Sequence, residues 1–223
     1  ALDVVNTSGA GALNITSAAF TGNGVGTHGS TLLKYSGDGT ANMTINVQSS
    51  SFNGSNSYGY FTDTAANAQV TSTINNSTFG TVSANALGIQ YINSASSDIA
   101  FNVTNNTLVG GNTANGTIMM VGFSETGTTT GSASHSGTFS GNTIGTSGEA
   151  RSGCANGCGG VGIFPAGAGA MNLSILNNVI HQVSSLGISL SSNAGTTGTL
   201  STRIQGNTLD QPQPGFAAFL RAI

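Results

Sequence analysis

The chain has 223 residues and 22.0 kDa, enough for one sizeable core, yet only 5% of it is charged and 37% is hydrophobic. Its net charge is −3 and its four cations, Lys34, Arg151, Arg203 and Arg221, are scattered, which excludes the phosphate neutralisation that a nucleic-acid binder needs. No stretch approaches the roughly 18 apolar residues of a membrane helix; with no initiator Met or signal peptide, a mature or excised segment is expected.

Taken in order, the chain alternates two kinds of apolar run. "LDVV" opens it as a strand, and "ITSAAF" (15–20) follows. "TLLKY" (31–35) leads to Met43, Ile45 and Val47, which alternate with Thr44 and Asn46 and end in "VQSSSF" (47–52). "SYGYF" (57–61) precedes Val70 and Ile74 and then "INNSTF" (74–79). "ALGIQY" (86–91) precedes Ile99, Phe101 and Val103 and then "VTNNTL" (103–108). "TIMMVGF" (117–123), "FSGNTI" (139–144), "GVGIF" (160–164), "ILNNVI" (175–180), "SLGISL" (185–190), "IQGNTL" (204–209) and "GFAAFL" (215–220) complete the series. A period of two in β-branched and aromatic residues predicts strands with one buried face. The same period, with abundant Gly, argues against helices.

Seven of these runs end in an apolar residue at one register: Phe20, Phe52, Phe79, Leu108, Ile144, Ile180 and Leu209. Their separations of 32, 27, 29, 36, 36 and 29 residues predict a solenoid and exclude a sandwich, whose strands recur every 8–12 residues. Val103 and Leu108 are five apart, which in a straight strand would put them on opposite faces. A bend at the intervening Asn pair lets both face inward, because Asn and Gly tolerate the left-handed conformation of a tight corner. The pattern places Asn75, Asn105 and Asn177 in one column with Gly141 and Gly206. Asn106, Asn142, Asn178 and Asn207 form the next, able to hydrogen-bond as a ladder between coils. In the second family, Gly59, Gly88, Gly162 and Gly187 each precede an apolar residue.

Units of strand, Asn-Asn-Thr and apolar residue, preceded by Leu-Gly-Ile strands, resemble the right-handed parallel β-helix repeats of the pectin-lyase-like superfamily. The nearest likeness is to repeat regions of large bacterial secreted and surface proteins. The resemblance spans Leu2 to about Phe216. It implies one all-β domain over 1–223, a right-handed parallel β-helix of about seven coils. Segments 124–134 and 145–160 are insertions, and 210–223 is a cap or a truncated coil. The family's hydrolase motifs are missing: "NTLD" (207–210) and "THGS" (27–30) do not match, there is no Asp-Asp, and Arg203 is followed by "IQ". No catalytic residue is carried over.

Read directly, the residues offer little chemistry. A glycosidase needs two acids flanking one bond. Asp38 and Asp63 follow corresponding strands, three residues after Tyr35 and two after Phe61, so they are expected to be neighbours on adjacent coils. Glu149 and Arg151 share an insertion with the cysteines. These four are the alternative catalytic set for a polysaccharide lyase or hydrolase acting on acidic glycans. No Gly-x-Ser-x-Gly elbow or phosphate loop occurs. His28, His135 and His181 fall in different coils and read as structural. Cys154 and Cys158 suit a short disulfide in an oxidising compartment; zinc usually takes four ligands, and free thiols remain the other alternative. No metal or other cofactor is expected.

Thr44, Asn46, Thr71, Thr73, Asn102, Thr104, Thr138 and Ser174 are predicted to point outward and form an uncharged polar face, suited to a glycan or to ordered water. Unpaired backbone at the ends of a solenoid invites pairing with another copy. The sequence thus predicts a non-enzymatic extracellular or cell-surface module, structural or adhesive, with end-to-end assembly or a glycan as partner. Neither nucleic acid nor a membrane span is expected.

Overall fold

A computed structural model describes residues 1–22, 31–55, 57–81, 87–110, 119–126, 133–150, 152–154, 158–192, 196–210 and 220–222. Every strand pairing is parallel, and each coil presents three strands to three faces. Face A comprises 2–6, 33–37, Tyr58–Thr64, Leu87–Asn93, Met119–Glu125, Gly159–Phe164, Ile188–Leu190 and Leu220–Ala222. Face B comprises 8–16, 42–48, Gln69–Asn75, Asp98–Thr104, Ser134–Ser140, Ala170–Leu176 and Thr199–Gln205. Face C comprises Ala19–Thr21, Ser51–Ser55, Thr78–Thr81, Thr107–Val109, Thr143–Ile144, Val179–His181 and Thr208–Asp210. Faces A and B belong to one sheet because Leu2–Thr16 and Leu33–Gln48 run through their shared corner. At that corner Gly39 has φ +61°, and a Cβ there would lie 2.4 Å from the Thr7 carbonyl oxygen, so a side chain is barred twice over.

The apolar column predicted from the repeats is continuous. Phe20, Phe52, Phe79, Leu108, Ile144, Ile180 and Leu209 pair in succession down face C. That is six coil-to-coil steps, about six turns, close to the seven coils expected. Phe20, Phe52 and Phe79 stack at 4.8 and 4.9 Å with nearly parallel rings, the spacing of neighbouring strands.

The corner between faces B and C carries the left-handed residues Ser17, Ser49, Asn76, Asn105, Gly141, Asn177 and Gly206, with φ from 49° to 68°. The next residue in each coil turns inward. Asn142 Oδ1 accepts from Asn106 N (2.9 Å) and Nδ2 (3.0 Å), and Asn178 Oδ1 accepts from Asn142 N (2.9 Å) and Nδ2 (3.1 Å). Asn207 Oδ1 accepts the same pair from Asn178. Each Asn Nδ2 also donates to a strand carbonyl: Asn106 to Ile74, Asn142 to Val103, Asn178 to Phe139 and Asn207 to Ile175. Ser50 and Ser77 continue the column with shorter reach. Asn75 is displaced from its expected column. It closes a face B strand opposite Thr104, and Asn76 takes the left-handed position. Asn76 stands three residues before Phe79, as Asn105 does before Leu108, so the bend keeps its register and Asn75 belongs one residue earlier, on the strand.

At the corner between faces C and A one column reads Leu32, Gly59, Gly88, Met120, Gly160 and Gly187, and its glycines have no room for a side chain. A Cβ at Gly59 would lie 2.8 Å from Phe79, at Gly88 2.7 Å from Leu108, and at Gly160 3.0 Å from Ile180. These glycines let the large face C residues pack beneath face A. Gly162, which also precedes an apolar residue, lies outside this column and stands beside Gly122.

Residues 124–125 complete a face A strand and 133–134 begin face B; 127–132 lie outside the described residues. In the second insertion the chain returns to the coil by Ser152, whose carbonyl accepts from Gly110 N. Ser152 Oγ accepts from Thr146 N (2.7 Å) and donates to the Glu149 and Thr146 carbonyls. Cys154 then pairs with Val183 of the next coil. The expected cap at 210–223 lies mostly outside the described residues, apart from a strand at Leu220–Ala222 paired to Ile188–Leu190.

Besides the Asn ladder, several polar groups interrupt the apolar core among the described residues. Ser72 faces inward and bonds the hydroxyls of Tyr60 (3.0 Å) and Tyr91 (2.9 Å), all buried. At the corner between faces A and B, Thr64, Asn93 and Glu125 form a buried column. Asn93 Nδ2 donates to the Ser97 and Ser134 carbonyls, and Glu125 Oε2 accepts from Ala166 N at 3.0 Å. His135 pairs with Ile99 and Met171 on face B. It is fully buried, and neither ring nitrogen has a hydrogen-bond partner. Desolvation lowers its pKa from 6.5 to about 3, so at neutral pH it is an uncharged core residue.

Two outcomes follow from this arrangement. Asn142→Ala leaves Asn106 N–H unpaired in the interior, removes one of the two bonds of Asn106 Nδ2 and the Asn142 bond to the Val103 carbonyl, and is expected to cost about 3 kcal/mol in chemical denaturation. The His135 prediction concerns pH. Its folded pKa lies below its unfolded one, so the unfolded chain binds a proton that the folded chain rejects. Stability is therefore full above about 6.5 and falls by about 1.4 kcal/mol per pH unit towards 3. Glu125 acts in the opposite sense: burial raises its pKa above 4.5, so its contribution is present at low pH and is lost as pH rises. His135→Leu isolates the first effect; its stability should lose about 2 kcal/mol less than wild type between pH 7 and pH 5.

Candidate functional site

Strand alternation sends every second residue of face B to solvent, and the inter-coil register gathers those residues into straight columns. One column reads Ala12, Thr44, Thr71, Ala100, Ser136, Asn172 and Ser201. The next reads Asn14, Asn46, Thr73, Asn102, Thr138, Ser174 and Arg203, and a third reads Thr16, Gln48, Asn75, Thr104, Ser140, Leu176 and Gln205. All eight residues expected on the polar face lie in these columns. Between the second and third columns a shallow depression of about 430 Å3 is lined by Asn14, Thr16, Asn46, Val47, Gln48, Thr73 and Asn75. Asn46 Nδ2 donates to Asn14 Oδ1 (2.8 Å) and Asn75 Nδ2 to Thr104 Oγ1 (2.6 Å), so the columns are tied across coils. The outward charges of face B among the described residues are Asp98, which accepts from Ser134 Oγ, and Arg203, which bonds Gln205 Oε1. Such a surface offers donors and acceptors on a grid of about 4.8 Å by 7 Å, with almost no charge to desolvate.

Of the alternative catalytic residues, Asp38 and Asp63 lie on adjacent coils and Glu149 lies apart from them. Asp63 stands opposite Ser36 rather than Asp38, which lies two residues further on. The displacement arises because Leu33–Gln48 continues through the corner, whereas Tyr58–Thr64 ends before it. Both acids border one shallow depression. Asp38 Oδ1 accepts from its neighbour Gly39 N at 2.7 Å. Burial raises the Asp63 pKa and Lys34 partly offsets this. Glu149 is exposed in the turn before Ser152, on the fifth coil, about two coils or 10 Å from Asp63 along the rod. Arg151 lies outside the described residues.

Of the histidines, His28 lies outside the described residues and His135 belongs to the core. His181 Nδ1 pairs with Asp210 of the next coil on face C. Cys154 and Cys158 are joined by a disulfide, with Cα atoms 5.2 Å apart and both residues buried. Among the described residues no three His, Cys, Asp or Glu side chains converge as a metal site would require. Sequence reasoning missed Glu125. Its signal was positional: it stands two residues after the inward Phe123, as Asn93 follows Tyr91.

Comparison of the chain with protein-family models, with curated proteins and with solved structures finds no match in any of the three.

Proposed function

We propose that the chain is a non-enzymatic structural and adhesive module of a secreted or surface-bound protein, and that face B is the surface by which it adheres. The observation that carries this reading is the regular, almost uncharged array of Thr, Asn and Ser columns on a hydrogen-bonded sheet. A rigid array needs no ordering on contact, so weak hydrogen bonds to a repetitive polyhydroxyl surface add with little entropic loss. The buried disulfide is in keeping with an oxidising location. The likeness to pectin-lyase-like repeats rests on the Asn-containing corners, and the family's hydrolase motifs are missing from the sequence, so no lyase or hydrolase activity is proposed.

End-to-end assembly extends this reading. In the first coil Leu2, Val4, Leu13 and Phe20 are only half-buried, and in the last face B and C strands Leu200 is 42% exposed, with Ile204 and Leu209 half-buried. A second copy stacked coil on coil would cover this apolar surface. Sedimentation velocity across a hundredfold concentration range should show species growing by whole protomers; a single unchanging species contradicts assembly.

The adhesive reading predicts that the chain sediments with an insoluble neutral polysaccharide such as chitin or cellulose. Replacing Thr73 and Asn102 with Arg, in one variant of unchanged stability, should weaken retention tenfold or more. Retention equal to wild type, or release of soluble sugar by the wild-type chain, would count against it.

A further inference from the structure

We propose a second binding site on face A, a subsite for a single neutral or amino sugar residue. It uses a different surface from face B and does not depend on the adhesive reading. Three successive strands build it. Residues 2–6 supply Val5, 33–37 supply Lys34 and Ser36, and Tyr58–Thr64 supplies Phe61 and Asp63, with Tyr58 at its start.

The site has an aromatic wall and a polar hollow. Tyr58 and Phe61 stack at 4.5 Å with rings 25° apart on the outward surface, both only half-buried. Aromatic pairs of this kind are usually core features; here they form a ledge open to solvent. Phe61 stands opposite Lys34 and Asp63 opposite Ser36 in the same ladder. Two residues along from Phe61 on the same side, about 7 Å away, a depression of about 310 Å3 is bordered by Val5, Thr7, Ser36, Asp38 and Asp63. Val5 is 69% exposed, one of the most exposed large apolar residues described. The Tyr58 phenol is pushed up by burial and by the nearby Asp63 charge, so ledge and hollow share one electrostatic environment.

The chemistry of that pairing is specific. A pyranose presents C–H bonds on one face and hydroxyls around its rim. The C–H face suits the electron-rich ring surface of Phe61; the rim hydroxyls suit the carboxylates of Asp63 and Asp38 and the hydroxyls of Ser36 and Thr7. The local charge also selects. Asp3 stands opposite Lys34 in the same ladder, so three carboxylates, Asp3, Asp38 and Asp63, share the surface with one ammonium and the hollow is net negative. It favours a neutral sugar or an ammonium-bearing one and disfavours a uronate, whose carboxylate would meet Asp63.

The test is a titration of the whole chain, followed by calorimetry or by amide shifts, with glucosamine, cellobiose and digalacturonate. The proposal predicts dissociation constants on the order of 1 mM for the first two and no saturation with digalacturonate. Phe61→Ala should weaken both at least tenfold. Asp63→Asn, at an exposed position where folding is not at stake, should weaken glucosamine at least fivefold and cellobiose less. The proposal is overturned if neither glucosamine nor cellobiose binds, if digalacturonate binds as well as they do, or if Asp63→Asn leaves glucosamine affinity unchanged.

Discussion

The rest of this molecule depends on a buried amide hydrogen bond repeated between coils at the corner of faces B and C. A left-handed residue there bends the chain through a tight angle, and the residue that follows must face the interior. An apolar side chain at that point would leave neighbouring backbone amides unpaired, at a cost of about 1–3 kcal/mol each. Asparagine resolves this because one side chain both accepts and donates. Asn142 takes two bonds from Asn106 and gives one to Val103, while its own amide goes to Asn178. The pairing locks each coil to the next at one register, and a slip of one residue would turn every face B side chain to the wrong side.

That lock separates architecture from surface. Coil lengths vary from 27 to 36 residues, but the excess leaves the stack at loops and returns to it, as the chain does at Ser152. Internal positions are constrained by volume: the glycines beneath face A exist because Phe79, Leu108 and Ile180 need the space. Outward positions carry no such demand and can take any short polar residue. Binding properties are therefore free to differ between faces: face B is flat and almost uncharged, whereas the first three strands of face A combine an aromatic ledge with carboxylates.

The fold was largely legible because two periodicities coincide. Alternation within runs identifies buried faces, and the recurring terminal apolar residue, Phe20 through Leu209, identifies coils without reference to loop length. The ladder of Asn106, Asn142, Asn178 and Asn207 followed from the same alignment. Asn75 was placed one residue out of its column: Asn76 stands three residues before Phe79, as Asn105 stands before Leu108 and Asn177 before Ile180, so the apolar register itself selects Asn76. Asp38 and Asp63 border one depression as neighbours on adjacent coils, two residues out of register because Leu33–Gln48 continues through the corner. The eight-residue polar face was readable from alternation alone, but the face A subsite was not, since Val5, Ser36 and Phe61 meet only once three coils are in register.

Native-state hydrogen exchange at the corner amides tests the central claim most directly. If the ladder locks the coils, the backbone amides of Asn106, Asn142 and Asn178 exchange together, as slowly as the inward strand amides of Val103 and Ile175, and only through global unfolding. Exchange of these three amides near the unprotected rate, while the face B strands stay protected, would show that the corners are ordinary exposed turns and would contradict the account.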